Sequence, residues 1–431
     1  MDPRKLALEA IEKIITKDSF SNIVVNEFLN KYELSNEDKA LFTNLVYGTI
    51  QHKITIEYYL EPYLKKRQKP WVNNLLLMSI YQIVYLRIPQ YAAVNEAVSI
   101  ATDKSRAIGS FINAVLRNFL RNPLRSFEGL DEITYLSVKY STPSWLVAFL
   151  LKDYKADIVE QILDENTLIR TESYRINTLK VEKQDLLGML DNNEVFYILS
   201  NEAPNCFTPS VSLTNHPLLK EGLITVQDLS SQMVGELSGV CENANVIDLC
   251  SAPGGKTAHI AALMKNTGQI YACDIYEHKL KLMTKGFKRL GVKNVKVELL
   301  DARKAKDKFG EEAFDFVFAD VPCSGLGVMG HKVDIKYHID LESIAEVENL
   351  QEEILNSTCS LVKKGGYYIY STCTINKDEN ANQISKFLLK HQEFEKILEK
   401  QILPTDYHSD GFYICKLRRK HWVLSKEAFT E

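Results

Sequence analysis

The 431-residue chain has no cysteine before position 206 and no CxxC pair among its eight cysteines, which argues against both a zinc site and a disulfide framework. It also lacks an apolar run long enough to span a bilayer. The most apolar stretch, Pro70 to Leu86, is interrupted by Asn73, Asn74, Ser79 and Gln82. The first residues, Met1-Asp2-Pro3-Arg4-Lys5, have no apolar leader, so the expected setting is a reducing cytoplasm, away from membranes. No internal repeat or low-complexity linker stands out. A bias of charge is missing as well: 52 Lys+Arg stand against 56 Asp+Glu, a net charge of −4, which excludes a wholly basic nucleic-acid binder.

The average conceals an asymmetry. Residues 1–140 carry 18 Lys+Arg against 15 Asp+Glu, and the remaining 291 carry 34 against 41. Two basic clusters lie in the first part: Lys65, Lys66, Arg67 and Lys69, and then Lys104, Arg106, Arg117, Arg121 and Arg125 opposed only by Asp103. Phosphate contacts and a solvated helix face are equally compatible with them.

With 45% hydrophobic and 25% charged residues, a chain of this length predicts a multidomain globular protein. Residues 4 to about 135 repeat apolar positions at helical spacing, such as Leu8, Ile11 and Ile15, and predict an all-α bundle. Pro3 suits a first helical turn, Ser35 with Asp38 has capping-box spacing, and Leu75 to Leu86 is apolar enough to be central. Another helix starts near Ser141-Thr142-Pro143, with Trp145, Leu146 and Leu150 as its expected buried face. Residues 165–240 predict a small α+β module, with strands near 174–176 and 195–199 around a helix at 182–191. From Asn245 on, strand patterns at 246–249, 270–274, 295–300, 314–319 and 367–371 alternate with helices, the signature of a Rossmann-like, mostly parallel doubly wound sheet. Phe412 to Leu417 fits an added antiparallel strand. The expected division is a helical domain at 1–138, linker helices and the α+β module at 139–240, and the α/β domain at 241–431.

In a doubly wound sheet, ligands lie beyond the carboxyl ends of the strands, and the first strand-to-helix turn comes closest to them. Cys250-Ser251-Ala252-Pro253-Gly254-Gly255-Lys256 occupies that turn. Gly254 and Gly255 remove side chains where a ligand approaches. Gly255-Lys256-Thr257 has the end of a P-loop, but Cys250 stands where that motif needs glycine, and GxGxxG is absent. Asp274 ends the second strand, where a carboxylate can take the two ribose hydroxyls of a nucleoside, and Asp301 ends the third, within reach of an adenine amino group. Each alone reads equally well as a helix cap. Together they suit S-adenosylmethionine, although a dinucleotide shares these requirements.

Asp320-Val321-Pro322-Cys323 and Ser371-Thr372-Cys373 follow the fourth and fifth strands. Were those strands neighbours, two thiols and a carboxylate would meet beside the cofactor. This set suits methyl transfer to carbon 5 of a cytosine, which becomes nucleophilic only when a thiolate adds to carbon 6. One thiol must attack, the carbon-5 proton must leave before the adduct breaks, and Asp320 is placed to hydrogen-bond the ring nitrogen or amino group. Lys256 is a candidate to lower a thiol pKa or orient Asp320. Cys206, Cys241, Cys250, Cys273, Cys359 and Cys415 read as small buried apolar residues.

The segments DLCSAPGGKT, FADVPCSGLGVM, YSTCTINKDEN and GFYICKL, with FSNIVVN, LVYGTI, AVNEAV and FINAVLRN nearer the N-terminus, resemble the bacterial 16S ribosomal RNA cytosine-5 methyltransferases of the Sun/Fmu type, in the NOL1/NOP2/Sun family. The likeness spans nearly the whole chain. It implies a NusB-like RNA-binding helical domain, action on 16S ribosomal RNA, Cys373 as nucleophile and Cys323 as an aid to product release; a monomer without a metal is the expected form. It also implies that Cys250 to Lys256, Asp274, Asp301 and Asp320 line an S-adenosylmethionine site. Where the family often has two basic residues and a proline before Asp-Ile-Lys, this chain has Met329-Gly330-His331-Lys332-Val333, leaving Lys332 and Lys336 as the expected RNA-facing charges. Two other functions fit some of these residues: a non-catalytic RNA-binding factor, which would not need both thiols, and a DNA cytosine methyltransferase, in which the Pro-Cys thiol attacks and Cys373 has no task.

Overall fold

The computed structural model describes residues 2–17, 19–168 and 171–421. The chain folds into two compact units, one built from residues 1–168 together with 329–339, the other from 169–328 together with 340–431. The helices expected as a connection after 139 therefore lie in the first unit, and both sheets lie in the second.

The first unit is helical, as its periodicity predicts. Its segments include Pro3–Lys17, Ser21–Lys31, Asn36–Gln51, Pro70–Val84, Gln90–Lys104 and Arg106–Arg121. Pro70–Val84 buries Leu75, Leu76, Leu77, Met78 and Ile80, so it is apolar on nearly every side and takes the central position. It starts five residues before Leu75 because Pro70, at the first helical position, needs no amide partner. The absence of a side chain at Gly48 permits close packing there, since a Cβ would lie 1.9 Å from the Tyr81 ring. Ser35 caps its helix through the Asp38 amide, as its spacing predicts. The helix Ser144–Asp153 departs from expectation: Leu146, Val147 and Leu150 are buried, and Trp145 is only half-buried, because the 146/147/150 stripe rather than the largest ring faces the core.

Residues 329–339 return to this helical unit. Phe20 precedes the helix Ser21–Lys31 and offers no side-chain cap, and Asp334 supplies one from afar: its oxygens accept the Ser21 amide at 2.6 Å and the Ser21 hydroxyl at 2.7 Å. Val333 joins the helical core. Lys336 is 3% exposed and donates to the Gln51 carbonyl at 3.1 Å, while burial pulls its pKa down to about 7. This corrects the expectation that Lys336 faces RNA. Its amino group is spent on a hydrogen bond to a helix C-terminus inside the unit.

In the second unit, four short antiparallel strands, Tyr174–Ile176 (β1), Tyr197–Leu199 (β2), Cys206–Pro209 (β3) and Ile224–Val226 (β4), form a sheet in the order β2-β3-β1-β4. With the helix Lys183–Asn192 they bury Tyr174, Ile176, Leu186, Leu190 and Phe207. The strands β3 and β4 escaped the sequence reading, because three or four residues are too few to display alternation.

The larger sheet contains Asn245–Asp248 (β5), Gln269–Asp274 (β6), Val295–Leu299 (β7), Phe314–Asp320 (β8), Val362–Thr372 (β9), Phe394–Ile402 (β10) and Phe412–Arg419 (β11), in the order β10-β11-β9-β8-β5-β6-β7. The strands β5 to β9 pair in parallel, and β10 and β11 are antiparallel additions. The β11 strand was anticipated; β10 was not, since Phe394-Glu395-Lys396-Ile397-Leu398-Glu399-Lys400 carries the charges and bulge that protect an edge. The order reverses between β5 and β8, which makes their carboxyl ends the switch point where ligands bind such sheets.

Candidate active site

The turn after β5 is built from the residues its sequence promised. Gly254 has φ +102°, a left-handed conformation open to glycine, and precedes the helix Gly255–Leu263. A Cβ on Gly255 would meet nothing within 4 Å, so the opening of this helix borders free space. Ser251, by contrast, turns inward, its hydroxyl donating to the Cys273 carbonyl at 2.9 Å. Ala252 packs beside Met283 and Phe287, and Pro253 is exposed. Burial, then the charges of Asp248, Asp320 and Asp274, push the half-buried Cys250 thiol well up, which keeps it protonated.

Asp274 ends β6, and its Oδ1 accepts the Tyr276 amide at 3.0 Å. Its Oδ2 accepts no hydrogen bond among the described residues. Asp301 follows β7 and caps the turn after it: its carboxylate accepts the Arg303 amide and is gripped by the Arg303 guanidinium at 2.8–3.2 Å. Those bonds hold its carboxyl below the usual range. Asp248, 2% exposed, receives the Thr257 hydroxyl on Oδ2 at 2.6 Å, and its Oδ1 has no hydrogen-bond partner among the described residues; burial raises it to about 7. A glycine-floored opening, an available carboxylate oxygen on Asp274 and a further buried acid suit a polyhydroxylated, cationic nucleoside, so the donor set fits S-adenosylmethionine.

Across the switch point, Lys256 Nζ lies 2.7 Å from Asp320 Oδ2, and Ser371 Oγ donates to Asp320 Oδ1 at 2.8 Å. Burial pulls the Lys256 ammonium down, but Asp320 and then Cys373 and Asp248 outweigh it, and its pKa is raised. Asp320 and Ser371 are register partners in the parallel β8–β9 pair. The loops that follow therefore leave the sheet side by side, and Cys323 Sγ stands 3.2 Å from Cys373 Sγ. Neither is in a disulfide. The Cys373 bond, followed by burial, raises Cys323 well above the ordinary thiol range, so Cys323 keeps its proton and can donate it to Cys373.

Two features of this centre were missed. Glu379, 0% exposed, accepts the Ser324 amide at 2.8 Å, the Ser324 hydroxyl, Gln351 Nε2 at 2.9 Å and Asn376 Nδ2 at 3.1 Å. It thereby ties the loop after Cys323 to the loop after Cys373. Its position in the Asp378-Glu379-Asn380 run was visible, but a glutamate in a polar run looks solvated until folding buries it. Gly327 donates to the Cys373 carbonyl at 3.1 Å and accepts from Gly411 at 2.8 Å, an approach too close for any Cβ. Of the remaining cysteines, Cys206, Cys273, Cys359 and Cys415 are buried as expected, but Cys241 is exposed, because it stands in the turn before β5 rather than on an inward-facing strand position.

Two family models match separate parts of the chain. Residues 1–121 match the NusB family, and residues 239–418 match the 16S rRNA methyltransferase RsmB/F family. A probable ribosomal RNA small subunit methyltransferase B of Bacillus subtilis is 36% identical over 97% of this chain and 98% of its own length. Another from Synechocystis is 30% identical over 96% and 99%. The crystal structure of PH0851 superposes with a TM-score of 0.81 at 26% identity, covering 97% of this chain and 99% of that one.

Proposed function

Since the chain belongs to the ribosomal RNA small subunit methyltransferase B family, whose members depend on S-adenosylmethionine, we propose that it methylates carbon 5 of a cytidine in 16S ribosomal RNA through a covalent adduct to Cys373. The observation that carries the reading is the 3.2 Å meeting of two thiols at the ends of β8 and β9, beside the Lys256–Asp320 pair. The cofactor, when bound, supplies an electrophilic methyl group; Cys250 to Lys256, Asp274, Asp301 and Asp320 are the residues proposed to hold it, with Asp274 on the ribose.

Cys373 attacks as the thiolate. It forms a bond to ring carbon 6 and sends the ring electron pair toward carbon 5, which makes that carbon nucleophilic. Cys323, whose proton is firmly held, stabilises the thiolate by donating to it, and Lys256 adds a positive field. Asp320, already paired with Lys256 and Ser371, has a carboxylate's partners and accepts from the cytosine amino group. After methylation, solvent water takes the carbon-5 proton, the electron pair of that bond re-forms the carbon 5–carbon 6 double bond and expels Cys373 as the thiolate, and Cys323 eases the departure by donating a hydrogen bond to it. The target base must leave its stack to reach this centre. Residues 1–138 act as the RNA guide in this proposal, with the α+β module after them and catalysis in 241–431. The enzyme works as a cytoplasmic monomer without a metal.

Denaturing gels with labelled RNA test the assignment. Cys373→Ala abolishes methylation and adduct, whereas Cys323→Ala accumulates a covalent enzyme–RNA complex. An adduct trapped by Cys373→Ala would reverse the roles of the two thiols, and preferential methylation of DNA would remove the RNA reading.

A further inference from the structure

One basic cluster of the helical unit, the loop 65–69, stands between two hollows. A cavity of ≈ 650 Å³ is lined by Ile15, Leu60, Leu64, Pro70 and the carboxamides of Asn73 and Asn74, with Lys66 and Arg67 also on its wall. A second, of ≈ 370 Å³, is lined by Tyr63, Phe111, Ala114, Val115 and Asn118, with Lys65 on its wall. Lys66 and Gln68 border both. The loop 65–69 is thus a basic ridge between a larger hollow of mixed polar and apolar lining and a smaller, more apolar one, and the helix Arg106–Arg121 forms the far wall of the smaller hollow.

Charge decides what such a ridge attracts. The acids in the larger hollow are neutralised, Glu57 by Lys53 at 3.1 Å and Glu61 by Arg125. Lys65, Lys66, Arg67 and Lys69 are exposed and make no ion pair among the described residues. Arg106, Arg117 and Arg121 are exposed on the neighbouring helix. Four unneutralised cations in five residues favour a polyanion. Hollows of this size accept flat rings, and Tyr63 and Phe111 offer aromatic surface for stacking. A duplex keeps its bases inside and cannot use such hollows, whereas a single strand can lay its phosphates on the ridge and turn bases into them.

We propose that the loop Lys65–Lys69 and its two flanking hollows bind neighbouring unpaired nucleotides of RNA. The site rests on the RNA reading above and locates one point where the helical unit grips its substrate.

The full chain is titrated against a fluorescein-labelled single-stranded RNA hexamer and against the same sequence as a duplex, at several salt concentrations. For Lys66→Ala with Arg67→Ala, single-strand affinity falls about tenfold and the salt slope drops by about 1.4, the share of two phosphate contacts. Phe111→Leu, which keeps an apolar side chain in the fold, weakens binding and leaves the slope alone. Wild-type affinity in these variants, equal binding of the duplex, or displacement of the hexamer by an acidic peptide or by adenosine monophosphate at similar concentration overturns the proposal. Lys66→Ala with Arg67→Ala separates the two claims: a raised KM for RNA with the Cys373 adduct still forming at saturating RNA supports this site, whereas absence of the adduct in the wild type overturns only the reaction centre.

Discussion

Glu379→Ala probes how the two thiols are held together. Four donors converge on this carboxylate, but three have a second acceptor: the Ser324 hydroxyl has Thr374 at 2.8 Å, Gln351 Nε2 has the Pro322 carbonyl at 2.9 Å, and Asn376 Nδ2 has Glu348 at 3.1 Å. The Ser324 amide has only Glu379 among the described residues. Losing a charge-assisted bond to a buried amide costs about 1.5–3 kcal/mol, and the space left by the side chain brings the expected loss to about 2–4 kcal/mol. Glu379→Gln keeps the volume but turns an amide toward donors, and costs about 1–3 kcal/mol. Urea denaturation measures both. Below the unfolding transition, the loops after Cys323 and Cys373 lose their common anchor, so methylation at saturating substrates drops by at least about tenfold and the alkylation rate of Cys373 by iodoacetamide changes. If both variants unfold at the wild-type midpoint and methylate at the wild-type rate, the clamp has no such role.

Other expectations follow from the same geometry. Lys256→Met removes the cation beside Asp320 and Cys373, so methylation falls by about a hundredfold or more and the pH profile of Cys373 alkylation moves to higher pH, while binding of RNA persists. His259, 2% exposed, is pulled by burial and then by Arg175 to about 4, below its ordinary 6.5. The unfolded chain therefore takes up this proton first, and stability that is full above pH 6.5 is lost as pH falls toward 4, by up to about 3 kcal/mol; His259→Gln flattens that part of the stability curve. Lys336→Met leaves the salt slope of RNA binding unchanged, because the ammonium is buried against Gln51, and a reduced slope would return this residue to the RNA surface.

Much of the architecture was written in local pattern. Apolar spacing identified the helical part, alternating strands and helices identified the doubly wound sheet, and the strand ends marked Asp320, Cys323 and Cys373 in advance. Local pattern fails for elements shorter than its own period, which hid β3 and β4, and for edge strands whose charges exist to stop further pairing, which hid β10.

Sequence alone determined which chemical groups stand at the ends of which strands, because a strand's length and polarity are set by its own residues. Tertiary structure decided which of those groups meet. The β8–β9 register brings Asp320 and Ser371 level and leaves the sulfurs 3.2 Å apart, the fold buries Glu379 between two loops, and residues 329–339 spend Asp334 and Lys336 on the helical unit. These partners lie tens to hundreds of residues apart along the chain, and no local spacing encodes such a contact.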